Sequence, residues 1–127
     1  MRTWSWVVLA LLAAHDLTHA LDGGLDTGLG ELAAVSIPQW LLLAAVMAIV
    51  LRGDPARSRT AALVLGTTVA AGFVVVHLLP FSPAAFWDLE PSALSWALVW
   101  ASIGAGLVLA AHAFGRDSGR RSIGAGR

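Results

Sequence analysis

His15-Asp16-Leu17-Thr18-His19 interrupts a run that is otherwise built from Val, Leu, Ala and Trp. On a helix, His15 and His19 stand one turn apart, with Thr18 and Asp22 in the same stripe and Asp16 beside it. Two imidazoles at that spacing can bind one metal ion from consecutive turns. His-Glu-x-x-His zinc motifs use them this way, with an acid directly after the first His. Here the acid is Asp16, one methylene shorter, and no second protease motif is present. An ionised Asp at mid-bilayer costs roughly 2.5 to 3.5 kcal/mol, so these groups must turn inward and find partners.

A third imidazole comes from later in the chain. His77 falls on the same helical face as Gly66, Ala70 and Phe73, and small residues on that face favour contact with other helices, so His77 is expected to face inward. His15, His19 and His77 would supply three nitrogen ligands, with Asp16 as fourth ligand or as the group that orients them. That set suits Zn or Cu and poorly suits Ca or Mg. Asp22, Asp88 or Glu90 could close over it.

Competing readings use the same residues. The cluster can be an interhelical hydrogen-bonded clasp in a structural or accessory subunit, each bond worth about 0.6 kcal/mol in a membrane. It can be a proton relay, or the axial pair of a b-type haem, with His77 opposite His15 or His19. It can also be a metal-dependent hydrolase centre with Asp16 as base, although no substrate cleft or general acid is evident. His112, four residues before Arg116, reads as an interfacial residue.

The elements that must position these groups are membrane helices. Hydrophobic residues make up 57% of the 127-residue chain and charged ones 13%, a balance expected where lipid is the solvent. The expected fold is all-α, an integral membrane antiparallel four-helix bundle with spans at about 4–21, 32–51, 60–79 and 92–114. Residues 1–115 then form one transmembrane domain and 116–127 a disordered basic cytoplasmic tail. Arg2, the apolar run 7–14 and Thr18-His19-Ala20 also imitate a cleavable signal peptide, with cleavage after Ala20 as the competing reading. The Gly-rich acidic stretch 22–31 is a loop. Pro38 predicts a kinked or two-part second helix, and 52–59 reads as a tight basic turn. Gly66/Ala70, Thr68/Gly72 and Ser102/Gly106 are small-xxx-small pairs that mark packing faces.

Orientation follows from the basic residues, which are all Arg. Arg2, Arg52, Arg57, Arg59, Arg116, Arg120, Arg121 and Arg127 fall on one side of a four-span arrangement, which the positive-inside rule assigns to the cytoplasm. The chain is thus expected in the cell membrane, multi-pass, with N- and C-termini cytoplasmic and the His/Asp cluster facing outward. Its partner is the lipid bilayer, with a membrane-protein partner or a second copy as further candidates. The absence of Cys excludes disulfides, thiolate nucleophiles and Cys-based metal sites. Nucleic-acid binding has no support, since the Arg-rich tail is short and suits anionic headgroups. P-loop, dinucleotide and nucleophile-elbow patterns are missing.

His15-Asp16-x-x-His19 in a first span, Val76-His77-x-x-Pro80 closing a third and Ser95-Trp96 opening a fourth resemble a loose set of small four-span membrane proteins found in actinobacteria. The Ala, Gly and Arg bias, without Lys or Asn, fits a GC-rich genome of that kind. The resemblance implies a four-span fold and a shared His/Asp cluster, and it implies no activity.

Overall fold

In the computed structural model, backbone is described for residues 1–22, 29–81 and 92–124, and side chains for 1–18, 37–81 and 92–115. The described residues form four helices and no strand: α1 (Arg2–Asp22), α2 (Leu29–Arg52), α3 (Pro55–Phe73) and α4 (Ala93–Gly124). A single π turn, Val74–Leu78, prolongs α3.

The helices pair as alternating neighbours. Arg2 meets Leu51 and Asp16 meets Trp40, so α1 and α2 run antiparallel. Trp4 lies beside His112, which sets α1 antiparallel to α4. Gly66 faces Ala110 while Ala70 faces Gly106, which does the same for α3 and α4. His15 packs on Phe73, so α1 and α3 run parallel. The core is drawn from one stripe per helix. Ser5, Val8, Leu12 and His15 are buried on α1, and Leu65, Val69, Phe73 and His77 on α3 and its π turn. Val99, Ser102, Leu109 and Ala113 are buried on α4. These spacings of three, four and seven residues are what one inward helical face requires.

Two helices, Pro55–Leu78 and Ala93–Gly115, are long and apolar enough to cross a membrane, and Ile37–Arg52 is a shorter apolar helix. These lengths support the membrane reading for α3 and α4.

Several boundaries differ from the expected ones. The basic stretch 52–59 is not a turn throughout, because α3 already begins at Pro55. Asp54 caps it, its Oδ1 accepting from the N–H groups of Ala56 and Arg57 at 3.0 Å each, and Pro55 occupies the first turn, where no N–H is needed. Glu31 is likewise helical, since α2 starts at Leu29, and Pro38 lies inside α2 without ending it. Beyond the expected span end at 114, the backbone of α4 stays helical to Gly124. Asp117 stands three and four residues before Arg120 and Arg121, a spacing that supports helix. At the end of α3 the helix stops one residue before Pro80. Leu79 is extended, with φ −88° and ψ 136°, because a following proline disfavours the helical region.

The turn between α2 and α3 is tied tightly. Ser58 Oγ donates to a carbonyl of the last turn of α2, Ile49 O (3.2 Å), or to Gly53 O (3.0 Å), and Arg2 Nη2 donates to Leu51 O at 3.1 Å. The Arg2 bond serves Leu51 O, one of the carbonyls that a helix end leaves without an intrahelical partner, while Ile49 O also accepts from the Gly53 N–H at 2.8 Å. The Arg57 N–H bonded to Asp54, assisted by the Ala56 N–H and the Arg57 guanidinium, holds the Asp54 carboxyl below its ordinary value. A lowered folded pKa stabilises the fold above the ordinary aspartate range, and the contribution is lost as pH falls through the lowered value. Asp54→Asn, which can still cap, is therefore expected to remove part of the acid-side loss of thermal stability, measured by melting in detergent from neutral pH downward. Identical acid limbs for the two proteins would contradict this.

Candidate functional site

Three helices deliver the polar cluster. His15 comes from the buried stripe of α1 and His77 from the π turn, each 6% exposed. Their ring centroids lie 5.0 Å apart, with planes at 63°. Phe73 packs edge-on against His15 at 4.8 Å and at a tilt against His77 at 5.4 Å. π turns occur often at functional sites, and this one carries His77 on the last turn before Pro80.

Asp16 stands off the buried stripe, half-buried at the flank of α1. Its Oδ2 accepts a hydrogen bond from Trp40 Nε1 of α2 at 2.9 Å, and its Oδ1 lies 3.7 Å from His15 Nδ1. The carboxylate thus links α1 to α2 while facing the imidazole next to it. Thr18 is not directed into the cluster, since its hydroxyl donates to the His15 carbonyl at 2.7 Å.

The structure therefore joins His15, Asp16 and His77 in one neighbourhood. His19 follows His15 by one turn of the α1 backbone, about 6 Å along the axis, but its side chain lies outside the described residues, as do those of Asp22, Asp88 and Glu90. Among the described residues, no group of three or more His, Cys, Asp or Glu is arranged to hold a metal. His112 is exposed at the opposite end of the bundle, beside Trp4, with Nδ1 2.9 Å from Val108 O.

The sequence reading placed Phe73 on the His77 face but missed Trp40 and Gln39 as members of this neighbourhood. The Trp40 indole N–H is spent on Asp16. The available signal was chemical: an indole N–H in an apolar segment seeks an acceptor, and Asp16 is the acid of the preceding helix nearest mid-span.

Chemically, two imidazoles from separate helices can hold one ion. A tetrahedral ion with nitrogens at about 2.0 to 2.1 Å keeps two ring centres roughly 5 Å apart, close to the observed separation. A haem needs its axial imidazoles on opposite faces of the macrocycle, and rings packed edge-to-face at 5.0 Å leave no slot between His15 and His77 for it. Trp40 Nε1 holds Asp16 Oδ2, which leaves Oδ1 facing His15. No protein family, curated protein or solved structure matches the chain.

Proposed function

We propose that the chain is a multi-pass membrane protein, crossing the bilayer four times with both termini cytoplasmic, whose outer end holds a Zn or Cu ion on His15 and His77. His19 completes the nitrogen set, and Asp16 orients His15. The observation that carries this reading is the approach of two buried imidazoles from α1 and α3 at 5.0 Å. Topology is supported by the gathering of Arg2 beside Leu51 and the α2–α3 turn at the end opposite His15 and His77, as the positive-inside rule requires.

Elemental analysis of detergent-purified protein tests the metal. About one Zn or Cu per chain is expected, falling to background when both His15 and His77 are replaced by Ala; background metal in the unaltered protein would end this reading. The second reading, a clasp joining α1 to α2 and α3, is favoured by the Trp40 to Asp16 hydrogen bond. It predicts background metal together with lower thermal stability on His77→Ala.

A further inference from the structure

A cavity of about 460 Å³ lies between α1, α2 and α3, within the size range of small-molecule pockets. Its inner wall is made by buried Leu12, His15, Val69, Phe73 and His77, and its mouth by exposed Leu42, Thr68, Gly72 and Val76. Asp16 and Gln39 stand at the polar end. Gly72 keeps the mouth wide: a Cβ there would meet nothing within 4 Å.

We infer that this cavity binds a lipid-soluble quinone, with the head against His15, Phe73 and His77 and the tail leaving between Leu42 and Gly72. The head is not anionic, because Asp16 lines the cavity and no Arg or Lys does, so a carboxylate or phosphate head would face a like charge; the carboxylate is already met by Trp40 Nε1 and His15 Nδ1, so it does not require a cationic head either. It is planar, because three rings with centroids 4.8 to 5.4 Å apart form the wall, and such rings favour stacked or edge-on aromatic neighbours. It carries carbonyl acceptors, because the Gln39 amide offers N–H donors at that end. The tail is apolar, because the mouth opens sideways between α2 and α3, where a bilayer would place acyl chains. The inference needs the membrane placement proposed above and does not need the metal.

The test is equilibrium dialysis of a decyl-tailed benzoquinone against the full chain in detergent, with zinc content measured on the same preparation. Saturable binding at one quinone per chain is expected, weakened at least tenfold by Gly72→Leu, which fills the mouth, while the melting temperature without ligand does not fall. His77→Ala should weaken it similarly, and decanol, which has the tail without the head, should not displace the quinone. Absence of saturable binding, indifference to Gly72→Leu, or displacement by decanol would each overturn the inference, whether or not His77→Ala folds. Background zinc with intact quinone binding removes the metal reading alone; zinc without quinone binding removes only the quinone.

Discussion

Gly66→Leu is expected to destabilise the bundle by about 3 kcal/mol or more, the upper range of overpacking a filled interior. A Cβ at Gly66 would sit 2.5 Å from Gly106 O and 2.8 Å from Ala110 N, both backbone atoms that no rotamer change can move. The reverse contact is as tight, since a Cβ at Gly106 would lie 2.7 Å from Gly66 O. Either helix must retreat, and α3 and α4 form the most extensive interhelical packing in the molecule. In lipid this contact rests on close backbone approach rather than on hydrophobic burial, so separation forfeits most of what joins the pair. Gly104, on α4, is the control: a Cβ there meets nothing within 4 Å. Gly104→Ala should stabilise by roughly 0.5 to 1 kcal/mol through backbone entropy alone. Melting both variants in the same detergent compares them, and shifts of equal size and sign would refute the close α3–α4 contact.

Under the metal reading, His77→Ala is expected to lower zinc affinity by at least about 100-fold, and Asp16→Asn by roughly 10- to 100-fold, the usual loss when a group that orients a ligand is removed. The two differ because His77 would donate to the ion directly, whereas Asp16 acts through His15, with its other oxygen held by Trp40. Competition with a chromophoric zinc chelator measures both. A larger loss for Asp16→Asn than for His77→Ala would reverse the assigned roles.

The inward face of each helix was legible because burial repeats with the helical period. His77 could be placed inside from Gly66, Ala70 and Phe73 alone, and it is buried. The small-residue pairs were legible only in part. Gly66, Ala70 and Gly106 lie on the α3–α4 seam and Ser102 is buried, while Thr68 and Gly72 are exposed. Two residues turn a helix by about 200°, so Gly66 and Thr68 could not both face α4, and composition alone does not choose between them. The early start of α3 was written in Asp54-Pro55, but the arginines that follow disguised it as loop, since a helix can begin before its apolar portion does. The pairing of Asp16 with Trp40 depends on the register between two helices, which no local pattern encodes. The π turn left no mark in residue type, because Val74-Val75-Val76 would serve equally in an α-helix.

The helices are unequally fastened, and this sets an order of disassembly under load. The glycine seam locks α3 to α4, whereas among the described residues α2 contributes two buried core side chains, Met47 and Val50, near its C-terminal end. Its described ties to its neighbours include the single indole bond at Asp16 and the carbonyl bonds near the turn. Regions with few buried contacts open at lower free energy than the core. A molecule drawn mechanically from a bilayer would thus part first along α2, leaving α3 and α4 as the last unit to yield.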